Sequence, residues 1–194
     1  MLNYNYLDSK GLIAAVLPRY TDSGNVVYVY YYKGSCEVSH NRLRYILDKY
    51  FQHWSYTYES LSQSRYNKTC ESLGPLAVTH NHTLVPFKVR SAKFDGDSVY
   101  GYFCHEKIAY PEDTSRNMAS CLVCNNIEFE VSATFETIQK KRKAAEQAQL
   151  HWQKQNGYLE EEMLMRKQAL ETMVVFNKLS DQVQKLEMSK GNSD

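Results

Sequence analysis

Leu12-Ile13-Ala14-Ala15-Val16-Leu17-Pro18, then Thr21-Asp22-Ser23-Gly24-Asn25, then Val26-Val27-Tyr28-Val29-Tyr30-Tyr31-Tyr32 follow one another near the start of the chain. The first run is apolar and stops at a proline. The second is turn chemistry, with Gly and Asn able to take backbone that other residues avoid. The third is β-branched and aromatic, the composition of a pleated, half-buried strand. Together they predict two antiparallel strands joined by a tight turn. Lys33-Gly34-Ser35 ends the second strand.

Outward from this pair the chain alternates between short strands and helices. Ser39 is a candidate helix cap. After it Leu43, Ile46, Leu47, Tyr50 and Phe51 fall at i, i+3, i+4, i+7 and i+8, one face of an amphipathic helix. A polar, aromatic-rich segment from Trp54 to Cys70 follows, read as helical between Glu59 and Lys68 and ended by Gly74-Pro75. Short strands are predicted at Leu76–Thr79, Thr83–Phe87 and Val99–Cys104. Leu122-Val123 and Ile127 to Val131 flank Asn125-Asn126, a hairpin signal because Asn tolerates positive φ. Thr134 caps a helix from Phe135 to about Gln155, Asn156-Gly157 breaks it, and a last helix runs from Tyr158 to about Met188. The expectation is an α+β fold, mostly an antiparallel sheet of short strands with one or two internal helices, followed by C-terminal helices. Residues 1–137 form the α+β domain and 138–194 the helical region. No repeat of 20–50 residues is evident.

Composition narrows the class. The 194 residues are 43% hydrophobic and 23% charged, enough apolar content for a sizeable core and against disorder of the whole chain. Tyr is in excess, at 16 against 7 Phe and 2 Trp, which suits half-exposed sheet faces and interfaces. The first residues lack the basic and apolar regions of a signal peptide, and the longest apolar runs are too short to span a bilayer. The five cysteines are odd in number and scattered, as in a reducing compartment. A cytoplasmic protein with no membrane partner is expected.

The net charge of +1 hides a strong division. Residues 40–93 carry eight basic groups (Arg42, Arg44, Lys49, Arg65, Lys68, Lys88, Arg90, Lys93) against three acidic ones, a net of +5. Residues 94–137 carry two basic and eight acidic groups, a net of −6. The basic stretch is interleaved with Tyr45, Tyr50, Phe51, Trp54, Tyr56, Tyr58 and Tyr66. Cations neutralise phosphates and Tyr hydrogen-bonds to phosphate or sugar, so this stretch is the candidate nucleic-acid surface. The plainer alternative is that Arg42, Arg44 and Lys49 form a solvated helix face. Lys140-Lys141-Arg142-Lys143 spreads over all sides of a helix and reads as solvated.

Other chemistry is weaker. Cys121-Leu122-Val123-Cys124 with Cys104-His105 is a conceivable zinc set. Against it, Cys121 and Cys124 point to opposite sides of a strand, and a zinc ribbon shows two such knuckles. No cofactor is expected, and the cysteines read as small buried hydrophobes. His80-Asn81-His82 reads as a polar turn between strands. No P-loop, nucleophile elbow, dinucleotide fingerprint or zinc-protease motif is present, and no acid/base pair joins a nucleophile. A non-enzymatic function is expected.

The order of segments resembles the competence transcription factor family (ComK-type) of Gram-positive bacteria. The resemblance rests on Gly11-Leu12-Ile13-Ala14-Ala15-Val16-Leu17-Pro18, the helix Leu43 to Phe51, and the segment Ser55-Tyr56-Thr57-Tyr58 to Arg65. It continues through Gly74-Pro75-Leu76-Ala77-Val78, Leu84-Val85-Pro86-Phe87, Tyr100-Gly101-Tyr102, and Leu122 to Val131 leading to Phe135 and Ile138. It covers roughly residues 10–150. It implies a transcriptional activator of DNA-uptake genes that binds paired A·T-rich boxes of double-stranded DNA, largely through the minor groove. It also implies RNA polymerase and a proteolytic adaptor as protein partners. The expected DNA contacts are Arg42, Arg44, Lys49, Arg65, Lys68, Lys88 and Arg90, with Arg65 and Lys68 foremost.

Paired sites suit a homo-oligomer. The last helix carries Met163, Leu170, Met173, Phe176, Leu179, Val183 and Leu186 at helical spacing, with a phase slip near Phe176. Met163, Leu170, Met173, Leu179, Val183 and Leu186 are the candidate oligomerisation residues; packing back on the globular part is the other use of such a stripe. The alternative function is a non-catalytic protein-interaction module that uses the Tyr-rich sheet and this helix.

Overall fold

β1 (Ile13–Thr21) runs antiparallel to β2 (Gly24–Tyr31), with register from Ile13↔Tyr31 to Thr21↔Gly24. Gly24 enters β2 at φ +110°, backbone that favours glycine. The computed structural model describes residues 11–22, 24–63, 73–110 and 121–190. It adds β3 (Cys36–Ser39), α1 (Leu43–Phe51), α2 (Tyr58–Ser62), β4 (Leu76–Thr79), β5 (His82–Lys88) and β6 (Tyr100–Cys104). Then come β7 (Ile108–Ala109), β8 (Cys121–Cys124), β9 (Ile127–Glu130), α3 (Phe135–Gln155) and α4 (Tyr158–Lys190). Six strands form one sheet in the order β3-β2-β1-β6-β5-β4, and β7-β8-β9 form a second. Every pairing is antiparallel, so the fold is α+β as expected.

The unbroken apolar run of β1 is explained by burial on both faces. A bulge lies between Ile13 and Ala15, where the register shifts against β2. An inserted residue reverses the face of everything before it. Ile13 therefore joins Val16 on one face, while Ala15 and Leu17 occupy the other.

On the first face Ile13, Val16, Val27, Val29, Leu84 and Tyr102 pack against Leu43, Leu47, Tyr50 and Phe51 of α1 and Leu61 of α2. On the second, Leu17, Val85, Phe87 and Phe103 pack against Leu122 and Phe129 of the small sheet and Ile138 and Ala145 of α3. The result is three layers with the six-stranded sheet in the middle. Each fully buried Leu or Phe here contributes roughly 1.5–3 kcal/mol relative to exposure.

Pro18 and Pro86 sit in strands with neighbours on both sides, positions proline ordinarily avoids. The registers resolve this. The β1–β6 pairs are Ala15↔Phe103 and Val16↔Tyr102, so Pro18 lies beyond them. The β4–β5 pairs end at Leu76↔Leu84, so Pro86 faces an open edge on that side. Gly101 is tightly enclosed: a Cβ there would meet Val16 O and Val89 Cγ1 at 3.1 Å.

The hairpin turns follow their chemistry. Asn125 and Asn126 take φ +52° and +63° between β8 and β9, the two left-handed positions that such a turn needs. His80-Asn81 is the two-residue link between β4 and β5. Thr134 caps α3, its Oγ1 accepting the Thr137 N–H at 3.2 Å. Ser39 does not cap α1. It ends β3, its Oγ accepts the Asn41 N–H, and the helix begins after Arg42 without a side-chain cap. The segment read as helical from Glu59 to Lys68 is helical over Tyr58–Ser62, with Thr57 and Ser60 forming a capping box. Residues 64–68 lie outside the described residues.

The chain divides into compact units at Trp152/Gln153. The first extends past the compositional change at residue 138 because α3 buries Ile138, Ala145 and Ala148. The second contains the last turn of α3, a break at Gly157 (φ +70°) and α4, which at 33 residues is about 50 Å long.

Candidate nucleic-acid interface

Alternation along β5 and β6 decides which polar side chains share a face. Leu84 and Tyr102 lie on the α1 side of the sheet. Pro86, Lys88 and Arg90 follow Leu84 at steps of two, and Tyr100 and Ser98 precede Tyr102 at the same step. Lys88↔Tyr100 and Pro86↔Tyr102 are register pairs, and Val89 N–H bonds to Val99 O one step further. Tyr20 of β1 has the parity of Val16. The α1 side of the sheet thus continues past the helices as a strip of tyrosines and cations.

At its far end the Arg90 guanidinium lies 3.9 Å from the Tyr20 ring centroid, and Lys93 Nζ lies 4.5 Å from the same ring. Arg90 Nε donates to Ser98 O at 2.7 Å, while Nη1 and Nη2 are buried without an acceptor. The Tyr20 hydroxyl bonds to Asp97 and accepts the Lys93 N–H at 2.8 Å. That hydroxyl, first, and the Phe94 and Lys93 amides hold the Asp97 carboxyl below its usual range. Phe94 stands 73% exposed at the tip of this turn.

At the near end Tyr58 and Tyr102 meet hydroxyl to hydroxyl at 2.5 Å, and Arg44 stacks on Tyr58 at 3.9 Å. Arg44 is bound on both sides. Asp48 sits one turn further along α1 at 3.2 Å, and Glu59 of α2 pairs with the other end of the guanidinium. Its charge is locally neutralised, so it is a poor phosphate ligand.

The seven expected DNA contacts therefore separate. Lys88 and Arg90 fall in the strip, and Arg44 at its near end is already paired. Arg42 precedes the first turn of α1 and Lys49 lies in its last turn. Lys49 bonds to Gln52 Oε1 at 3.3 Å, and both read as a solvated face. Arg65 and Lys68 lie outside the described residues. Tyr20, Lys93 and Tyr100 are not among the expected DNA contacts; the period-two spacing of 88/90 and 100/102 is the sequence signal for the part of the strip on β5 and β6. In the basic run of α3, Lys140 pairs with Glu136 and Arg142 with Glu146, while Lys141 lies over Phe87. That run behaves as a solvated and packing surface.

A second polar cluster is buried under α1. His82 Nε2 lies 2.8 Å from the Tyr50 hydroxyl, and Nδ1 lies 3.1 Å from the Tyr32 hydroxyl. Tyr50 also takes the Ile13 N–H at the β1 bulge. A neutral imidazole has one donor and one acceptor nitrogen, and two hydroxyls satisfy both. Burial pushes His82 down to about 4 and raises the thiol of Cys104. Of the conceivable zinc set Cys104, His105, Cys121 and Cys124, the side chain of Cys121 lies outside the described residues and His105 and Cys124 turn to other partners. His105 Nδ1 turns to the Tyr110 hydroxyl at 2.8 Å, and Cys124 donates to Ala14 O at 3.3 Å. Cys104 instead faces His82 and Glu106.

On α4, Met163, Leu170, Met173 and Leu179 are all exposed. Val183 and Leu186 lie on the same helix, but their side chains are outside the described residues. Leu164, Met165, Val174, Val175 and Phe176 are exposed too, so the apolar surface is broader than a single stripe. Among the described residues no helix is long and apolar enough to cross a membrane. No family model, curated protein or solved structure matches this chain.

Proposed function

We propose that the chain is a double-stranded DNA-binding protein, an activator of the competence type, that meets A·T-rich duplex with the part of the strip running from Tyr100 to Lys93. The observation that supports this is the convergence of Lys88, Arg90 and Lys93 with Tyr20 and Tyr100 on the uncovered end of one sheet face. Lys88 forms no ion pair among the described residues, so its charge is available to a phosphate. Arg90 Nη1 and Nη2 are buried without an acceptor, so turning the guanidinium outward to a phosphate oxygen would satisfy donors now unpaired. A·T tracts have a narrow minor groove of enhanced negative potential that draws in such a guanidinium. Phe94 at the exposed tip has the character of a wedge that enters between base steps. A second copy of the chain, joined through α4, would supply the second half-site, since minor-groove readout alone discriminates little beyond A·T against G·C. RNA polymerase and a proteolytic adaptor belong to this reading as protein partners.

The test is a gel-shift titration of the full chain with A·T-rich and G·C-rich duplexes at stepped salt, repeated with K88A/R90A. Preference for the A·T duplex, steep salt dependence and loss of both in the double variant support the proposal. No binding at about 50 mM salt, where phosphate contacts are strongest, transfers the assignment to a protein-interaction module. Binding that the double variant leaves unchanged removes the strip as the DNA surface.

A further inference from the structure

His82 opens β5 and Cys104 closes β6. Leu84, two residues after His82, pairs with Cys104, and the 3-10 turn His105–Lys107 that follows β6 brings Glu106 back beside them. The donor atoms of all three side chains lie within 4.8 Å of one another. His82 Nδ1 to Cys104 Sγ is 3.4 Å, and Cys104 Sγ to Glu106 Oε2 is 2.9 Å. The Tyr32 hydroxyl lies 3.1 Å from Nδ1 and 2.6 Å from Sγ, at a fourth corner.

We propose that His82 Nδ1, Cys104 Sγ and Glu106 Oε2 form a binding site for a divalent transition-metal ion of the zinc type. The donor set carries the choice. One imidazole, one thiolate and one carboxylate suit zinc, whereas calcium and magnesium take oxygen alone. A tetrahedral zinc ion with bonds of about 2.0–2.3 Å keeps its donors roughly 3.3–3.6 Å apart. The imidazole–thiol separation already has that value. The thiol–carboxylate separation is shorter because a proton lies between the two. On binding, the Sγ–H bond breaks, a sulfur–metal bond forms and the proton leaves to solvent. Thiolate and carboxylate then bring two negative charges against the ion's two positive ones.

The surroundings resemble an outer shell more than a filled core. Tyr50 holds the far nitrogen of His82 at 2.8 Å. Gln149 Nε2 donates to Glu106 Oε1 at 2.8 Å, and the Thr83 N–H donates to Oε2 at 3.1 Å. These contacts fix ligand orientation, as outer-shell partners of metal sites do. Trp54 stacks over His82 at 6.3 Å and covers it from the helix side. Glu106 is the member of the three nearest solvent, which leaves a way in. Among the described residues no ion pair reaches Glu106, so its charge has only neutral donors around it. This site stands independently of DNA binding.

The test is titration of cobalt(II) chloride into the reduced, chelator-treated full chain, followed by thiolate-to-cobalt charge-transfer absorption. One equivalent per chain with that absorption is expected. It should be lost in C104S, kept in C36S and C124S, and weakened about 10–100-fold in Y50F. Zinc should raise the melting temperature of the wild-type chain and leave that of H82Q unchanged, which covers a C104S chain that folds poorly. Absorption that survives in C104S and vanishes in C124S places the ion on the Cys121/Cys124 pair and overturns the proposal. So does a wild-type chain with neither absorption nor a zinc-dependent rise in melting temperature.

Discussion

Arg90 lies flat on Tyr20, guanidinium carbon 3.9 Å from the ring centroid, although 70 positions separate them in the chain. The contact joins the end of β1 to the turn after β5 and holds a planar cation at the open end of the sheet. Lysine keeps the charge but has neither the planar stack nor the fork of donors. R90K is therefore expected to lose nearly as much A·T-duplex affinity as R90A, about 1–3 kcal/mol for each. Equilibrium titration with both duplexes measures this. An R90K chain with wild-type affinity would show that only charge matters at this position.

Lys88 acts as a point charge on the same face. K88A should weaken A·T and G·C duplexes alike and lower the slope of log affinity against log salt by about 1. A slope unchanged within error places Lys88 outside the contact.

Tyr20 has a second role through Asp97. Its hydroxyl is the largest cause holding that carboxyl below its usual range, ahead of the amides of Phe94 and Lys93. A carboxylate depressed on folding stabilises the native state above its unfolded pKa, and this stabilisation is lost as pH falls through the native value. Y20F should move the Asp97 titration upward toward ordinary carboxylates, read by carboxyl-carbon NMR. It should also make stability less sensitive to acid in that range. An Asp97 titration identical in Y20F would assign the shift to the backbone amides alone.

Much of the fold was legible because its signals are local. The hairpin at Asn125-Asn126 and the α1 stripe Leu43, Leu47, Tyr50 and Phe51 depend on residues within a few positions of one another. The bulge at Ala14 was not legible, because an apolar run buried on both faces carries no phase to slip. The pairing of Arg44 with Asp48 could be read from i,i+4 spacing, but that with Glu59 needed the packing of α2 on α1. Cys104 was grouped with its neighbour His105. The strand ends at Cys104 and the chain enters a 3-10 turn, which sends His105 to Tyr110 and brings Glu106 to Cys104 and His82, a change of direction that no local spacing announces.

Gly101 tests the central register. A Cβ there would meet Val16 O at 3.1 Å, and that carbonyl belongs to β1, which is buried on both faces and cannot withdraw. G101A is expected to cost about 1–3 kcal/mol, the usual range for overpacking a filled core, measured as a lower urea midpoint with an unchanged slope. A neutral substitution would mean that β6 can move off β1 at this point.

The last prediction concerns α4. Met163, Leu170 and Met173 follow one helical phase, and Phe176, Leu179, Val183 and Leu186 follow another. Around the slip Met173, Val174, Val175 and Phe176 are four consecutive exposed apolar residues. Single-chain solvation of such a surface is unfavourable, at about 25 cal/mol for each Å² that a partner would cover. Two copies of the helix laid together would cover both phases in turn. M173E/L179E places charges within that contact without proline or glycine, so helix propensity is nearly kept. Sedimentation equilibrium of the full chain should show a dimer whose mass falls to that of one chain in the double variant. Affinity for a duplex carrying two A·T boxes should fall with it, while affinity for a single box stays the same. A wild-type chain that sediments as a monomer at all concentrations would separate α4 from DNA binding and leave its apolar surface to a different protein.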